Sequence, residues 1–373
     1  MNTMSIDPRR LRRSSGPWLL RSLAAVLLGA LLAGCTSGAA PPPERAAPTA
    51  TQSQATGPAA AASQPAPAPQ KIRVAMSFIS AESLPIWVAQ ERRLFEKYGL
   101  DAEIVTLQGG GQVAAAMASG EVPIAYGTGA GIVEFALGGG DQVIVGKYNS
   151  EMRYFLHGRP EIRRVEELRD KRVAITRRGG ALEFGLRLLH ERHGLVYGRD
   201  SVVVELATTQ NQLNGLVAGA VDAAFVSMPV NFLAEREGFP LIEDTKPHHF
   251  PFPTNSIAVR RPYLAANEDV VRRYLQAHVE AVELTRRDKE LTKRLLGQNT
   301  ATDDDEILER SYAIYVQDLQ DTPQPSAAAI QSVLDSVAGE KPEARAAQPA
   351  DFYDDRLVRE LEQSGFIRGL RGG

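Results

Sequence analysis

Three kinds of short segment, each occurring twice, carry the side chains best suited to hold a small polar molecule. Ser77 and Thr176 end β-prone runs. Gly109-Gly110-Gly111 and Thr208-Thr209-Gln210 precede helix-prone segments, and Gly127-Thr128-Gly129 and Ser227-Met228-Pro229 follow a third pair of β-prone runs. Most of these residues are small or hydroxylic. Backbone N–H groups at helix starts lack partners and carry partial positive charge, so such loops suit an anionic or polar ligand. The same residue types also serve as ordinary caps and turns.

Motifs of catalysis are missing from the sequence. It has no Gly-x-Ser-x-Gly elbow, no lysine after a phosphate-cradling glycine loop and no His-Glu-x-x-His. Gly127-Thr128-Gly129-Ala130-Gly131 lacks the glycine spacing of a dinucleotide fingerprint. His190 and His193 stand three apart on a predicted helix with no carboxylate or cysteine ligands beside them, and read as surface or groove residues. Neighbouring His248 and His249 point apart on an extended chain and do not share a metal. Asp303-Asp304-Asp305-Glu306 reads as charge at a helix start. Cys35 is the one cysteine, so the folded part has neither a disulfide nor a thiol nucleophile. No cofactor and no metal are expected.

The elements that must position the loops alternate between strand and helix. Ile72–Met76 is a β-prone run, and Ser83-Leu84-Pro85 opens a helix that Ser83 is expected to cap. Leu84, Trp87, Val88, Glu91, Leu94, Phe95 and Tyr98 mark one mostly apolar face at helical spacing before Gly99. A strand at 102–107, a helix at 112–119 and a strand at 122–126 follow, which argues for a parallel, helix-covered sheet. The pattern then repeats at an offset of 99: Arg73–Ser77 matches Arg172–Thr176, Ile104-Val105 matches Val203-Val204, Ala118–Val122 matches Val217–Val221, and Ala125–Thr128 matches Ala224–Ser227. Two similar α/β lobes with a ligand cleft between them are the expected fold, since ligands of open α/β sheets bind outside the carboxyl ends of the strands. A helix at 230–237, a short strand at 240–242 and a strand at 255–259 that returns to the first lobe come next. The rest is predicted helical over 268–288, 302–319, 325–336 and 351–363, with Thr302 and Asp305 as a capping box.

Composition agrees with a globular body. The chain has 373 residues, 43% apolar and 23% charged, with a formal net charge of -3 that argues against nucleic-acid binding. Its start differs from the rest. Arg9, Arg10, Arg12, Arg13 and Arg21 precede an apolar run over 22–32, which is too short to span a bilayer and reads as a secretory signal. Residues 36–70 contain 12 Ala and 8 Pro, and their only charges are Glu44 and Arg45. Such a segment cannot offset its ordering entropy and is expected to be a disordered tether.

Two resemblances add to this. Leu32-Ala33-Gly34-Cys35 resembles a bacterial lipobox, which implies cleavage before Cys35 and a lipid on its sulfur. Ser83–Gln90, Leu94–Leu100, Ala118–Val122 and Leu168–Ala174, in that order and spacing, resemble the type II periplasmic solute-binding proteins of ABC importers, in the nitrate/sulfonate/taurine group that also includes pyrimidine-precursor binders. The resemblance implies lobe I at 71–157 and 258–373 and lobe II at 158–257, after a signal peptide at 1–34 and a linker at 35–70. It implies a non-catalytic receptor that closes on a small sulfonate-, carboxylate- or pyrimidine-like molecule and delivers it to a permease and its ATPase. The receptor is expected to be monomeric, exported and held to the membrane through Cys35. Ser77, Phe78, Gly110, Gln112, Thr128, Thr176, Arg178, Gly179, Thr209 and Met228 are its candidate ligand residues. The Thr176–Gly180 loop departs from the usual Gly-Ser type, and its arginines could clamp a carboxylate or sulfonate, Arg178 more than Arg177. Phe78, Phe252 and Met228 are candidates for an apolar wall, whereas Tyr126 reads as core. An enzyme on the same fold and a surface lipoprotein that does not transport are the alternative readings.

Overall fold

The structure, a computed structural model, describes residues 68–372 except 108 and 128. The expected signal peptide, Cys35 and most of the expected tether lie outside the described residues. Among the described residues ten strands form two five-stranded sheets. They are β1 (Gln70–Met76), β2 (Leu100–Thr106), β3 (Ile124–Gly127), β4 (Gln142–Glu151), β5 (Phe155–Gly158), β6 (Arg172–Ile175), β7 (Val202–Glu205), β8 (Ala223–Val226), β9 (Leu241–Asp244) and β10 (Pro251–Arg260). The strand orders are β2-β1-β3-β10-β4 and β7-β6-β8-β5-β9.

The internal repeat survives in the register. Val74 pairs with Ile104 and Ile124, and Val173 with Val203 and Ala223, so every partner is displaced by the offset of 99 seen in the sequence. Gly120 and Gly219 hold the same place in the two lobes. Both take the left-handed conformation that ends the second helix and starts the turn into the third strand.

The sheets are mixed rather than purely parallel as expected. β10 runs antiparallel to β3 and β4, and β5 runs antiparallel to β8 and β9. The cause is connectivity. Each lobe's fourth strand arrives from the other lobe and enters from the opposite end. The first crossing comes at Met152–Tyr154 and the return at His249–Phe250, a few residues before the boundaries expected from the family resemblance. The crossings are tied together. The Met152 N–H donates to the Phe250 carbonyl at 2.9 Å. Arg153 pairs with Asp244 at 3.2 Å and Asp318 at 3.3 Å, and Lys246 pairs with Glu151 at 3.2 Å and Asp318 at 3.0 Å.

The helical C-terminal part packs on the first sheet. The Glu268–Arg287 helix begins with Glu268 and Asp269 and ends with Arg286 and Arg287, each set opposing the dipole charge at its end. Val271, Tyr274, Leu275, His278 and Val282 form its buried face. Two expected caps differ. Ser83 makes no cap hydrogen bond; its hydroxyl donates to the Phe78 carbonyl at 2.8 Å and so shapes the loop after β1. Asp304, not Thr302, caps the Asp305–Asp318 helix, accepting from the N–H groups of Glu306 and Ile307. The preceding helix, Lys289–Thr300, ends in the left-handed residue Ala301, and Thr302 is spent on the Thr300 carbonyl.

The helices Gly110–Ala118 and Gly129–Leu137 touch through backbone. A Cβ on Gly131 would lie 2.7 Å from the Gly110 Cα. We expect Gly131→Ala to force these helices apart and to destabilise the fold by about 1–3 kcal/mol, the usual cost of overpacking. Denaturant unfolding checks this, and an unchanged midpoint would refute the contact.

Candidate functional site

A cavity of about 340 Å³ opens where the two sheets face each other. Most of its wall comes from the loops after the parallel strands. Ser77, Phe78 and Thr106 come from the first lobe, and Thr176, Thr209 and Ser227 from the second. Parallel strands align their carboxyl ends on one edge, which brings these loops together. The lobes also touch directly. The Ala81 N–H donates to the Met228 carbonyl at 3.2 Å, and a Cβ on Gly110 would lie 3.4 Å from the Gly179 carbonyl.

Of the candidate ligand residues, the cavity wall includes Ser77, Phe78, Thr176 and Thr209. Gly110 and Gly179 lie at the contact between lobes instead. Gln112 is exposed on its helix, and Met228 is buried behind the wall. Thr128 lies outside the described residues. Phe78 stands edge-on to Tyr126 with ring centroids 6.0 Å apart. Tyr126 is core, its hydroxyl donating to the Glu82 carbonyl at 2.6 Å, and Phe252 is buried against Phe184.

The two arginines exchange the places expected of them. Arg178 is exposed and its Nε donates to Glu205 of β7 at 3.2 Å, which draws it along the outer edge. Arg177 lines the cavity, and its Cδ would lie 3.4 Å from a Cβ on Gly109 in the other lobe. Its Nε is buried with no hydrogen-bond partner among the described residues. A buried charged donor without an acceptor is costly, and an anionic or strongly polar acceptor entering the cavity would relieve that cost.

Sequence reasoning also missed Ser80, Glu82, Tyr154 and Asn299–Ala301, all of which line the cavity. Asn299–Ala301 end a helix of the C-terminal part, which has no counterpart in the repeat, so the offset of 99 gave no signal for them. Glu82 could have been noticed as a lone acid in an apolar stretch. It is 7% exposed, and its carboxylate accepts from the Ser80 hydroxyl at 2.5 Å. Burial pushes its pKa up, the Ser80 hydrogen bond and a backbone hydrogen bond oppose this, and the Asp318 charge adds to the rise. Arg177 is the one basic side chain among the residues that line the cavity.

The folded chain therefore keeps a proton on Glu82 at pH values where the unfolded chain has lost it. The stability this group contributes is complete below about pH 4.3, its ordinary value, and is lost as pH rises through the folded value. Glu82→Gln is expected to flatten that loss, so the variant gains on the parent in melting temperature as pH increases. A constant gap between the two melting curves across pH would show that Glu82 does not titrate this way.

Comparison with known proteins agrees with this geometry. A family model described as NMT1/THI5 like matches residues 80–290, more than half of the chain. Curated protein sequences give no match. The periplasmic aliphatic sulphonate-binding protein SsuA of Escherichia coli aligns at 20% identity over 78% of this chain and 92% of its own, with a TM-score of 0.60. The alkanesulfonate-binding protein SsuA of Xanthomonas axonopodis pv. citri, bound to MOPS, aligns at 19% identity over 79% and 98%, with a TM-score of 0.63. The periplasmic nitrate-binding protein NrtA of Synechocystis PCC 6803 aligns at 13% identity over 79% and 89%, with a TM-score of 0.63. With two repeated α/β lobes, crossing strands and a cleft between them, the chain belongs to the NMT1/THI5-like family and has the fold of periplasmic solute-binding proteins.

Proposed function

We propose that this protein is the extracytoplasmic, lipid-anchored substrate-binding component of an ABC importer, and that it captures a small anionic organic molecule without transforming it. The observation that carries the reading is the buried, unpartnered Nε of Arg177 in a cavity walled by both lobes. A sulfonate or carboxylate supplies the acceptor that this donor lacks. Ser77, Thr176 and Thr209 offer hydroxyls to the remaining oxygens, and Phe78 and Tyr154 cover an apolar body. A ligand that touches both lobes favours the closed arrangement by its differential affinity for it. Sulfonates are the first class to test, because the two SsuA proteins share the fold and are named for binding them.

The basic start, the short apolar run and Leu32-Ala33-Gly34-Cys35 support export and attachment through Cys35. No helix among the described residues is long and apolar enough to cross a membrane. In the producing cell, Cys35→Ser is expected to move the protein from the membrane fraction to the soluble fraction. Continued sedimentation of the variant with membranes would exclude the lipid as anchor.

Ligand binding is tested by native mass spectrometry and thermal shift across sulfonates, carboxylates and pyrimidines. A true ligand at a hundred times its dissociation constant stabilises by about 2.7 kcal/mol. Arg177→Ala is expected to weaken an anionic ligand by about 1.5–3 kcal/mol, roughly ten- to more than a hundredfold. Arg178→Ala is expected to change affinity little, as its exposed pair with Glu205 suggests. Equal losses in both variants would overturn the assignment of Arg177, and recovery of a chemically altered ligand would favour an enzyme.

A further inference from the structure

The sequence contains six histidines: His157, His190, His193, His248, His249 and His278. Folding parts both sequence-adjacent pairs. His190 is fully buried, its ring nitrogens spent on the Leu186 carbonyl at 2.8 Å and the Ser201 hydroxyl at 2.9 Å. His157 and His278 are equally buried. His249 turns outward to Glu151. The remaining members of the pairs, His193 and His248, meet at the outer edge of the second lobe, beside Glu243 of the edge strand β9.

The three side chains converge. His248 Nε2 lies 3.2 Å from Glu243 Oε1, and His193 Nε2 lies 3.9 Å from Glu243 Oε2. One ligand atom from each residue falls within 4.8 Å of the other two. A tetrahedral zinc ion holds nitrogen and oxygen ligands at about 2.0–2.2 Å, which sets them roughly 3.3–3.5 Å apart, so small side-chain rotations would close this set on an ion. The two imidazole rings stand nearly perpendicular, at 86°.

Two further features point to a ligand. The Nε2 atoms of His193 and His248 are buried and lack a well-aligned hydrogen-bond partner among the described residues. Both rings are also held from behind. His193 Nδ1 lies 3.0 Å from Glu166 Oε1, so a neutral ring that donates its Nδ1–H to this carboxylate presents the Nε2 lone pair to a ligand. His248 stacks on Phe250 with ring centroids 5.2 Å apart and an interplanar angle of 16°. A carboxylate behind a ligating imidazole is the usual support for a metal-bound histidine.

We propose that His193, Glu243 and His248 form a site for a divalent transition-metal ion of the zinc class. Two imidazoles and one carboxylate suit zinc or cobalt rather than magnesium or calcium, which prefer all-oxygen shells. Three protein ligands leave a fourth position for water. None of the three lines the cleft, so the site is separate from ligand capture. Bound metal would tie the 243–248 segment, which leads into the return crossing, to the end of the Ala181–Arg192 helix.

The test uses the full chain carrying Cys35→Ser, which removes the only thiol. Metal is stripped with a chelator and Co2+ is titrated back. We expect one equivalent to bind with the intense visible absorption of a four-coordinate site and to raise the melting temperature. His193→Gln and His248→Gln should each abolish that spectrum. Glu166→Gln should weaken binding by about ten- to a hundredfold, and His249→Gln should leave it unchanged. Melts of the metal-free variants separate loss of ligands from loss of fold. If both histidine variants unfold, the spectrum of the parent decides. A weak six-coordinate spectrum, or no uptake with excess Co2+, overturns the proposal. Equal binding by parent and folded histidine variants overturns it as well.

Discussion

The cleft depends on the backbone pairing of one strand in each lobe. β1 pairs in parallel with β2 and β3, and β6 pairs in parallel with β7 and β8, in the same register. Parallel pairing sends all three strands out of the same edge, so their following loops must lie side by side. Two such edges facing each other make a cavity with twofold repeated walls. Ser77 and Thr176 stand at the same step of the same register and both line the cavity, which Thr106 and the 207–210 turn also wall. The antiparallel strands β5 and β10 then link the lobes, each completing the sheet that the chain enters from the other lobe.

The crossings are where charge is concentrated. Arg153, Lys246, Asp244, Glu151 and Asp318 tie the crossing residues to each other and to the C-terminal helices. Asp318 is nearly buried and takes two cations, so one carboxylate anchors both chain passages. The cavity beside them holds few charges. Glu82, whose pKa burial pushes up, and Arg177 are the acid and the base of a wall that is otherwise mostly apolar and hydroxylic.

The fold was largely readable from the chain because its signals are local. Helical spacing in Leu84–Glu91, the turn glycines Gly120 and Gly219, and the offset of 99 all lie within short windows or between matched ones, whereas the expected continuation of that helix to Tyr98 is broken at Arg93, which takes the left-handed conformation between Leu84–Glu91 and Leu94–Lys97. The site was readable only in part. The repeat pointed to Ser77, Thr176 and Thr209, since strand ends are themselves a local property. It could not choose between Arg177 and Arg178, because Glu205 belongs to a strand that β6 pairs with only after folding. Nor could it find Asn299–Ala301, which come from a helix outside the repeat. Hydroxyl partners were equally hidden: Ser83 and Thr302 look like caps, yet a nearer carbonyl claims each of them.

By itself, then, the sequence determined two α/β lobes, the loops that face each other and the strand ends they follow, because hydrophobic period and turn chemistry act over a few residues. Tertiary structure alone decided which arginine enters the cleft, which acid is buried there, and which histidines meet. Those outcomes depend on side-chain direction and on partners far apart in the chain. His193 and His248 are separated by three strands and two helices in sequence, yet share one carboxylate, because β9 pairs with β5 at the sheet edge and carries Glu243 to the residue that ends the Ala181–Arg192 helix.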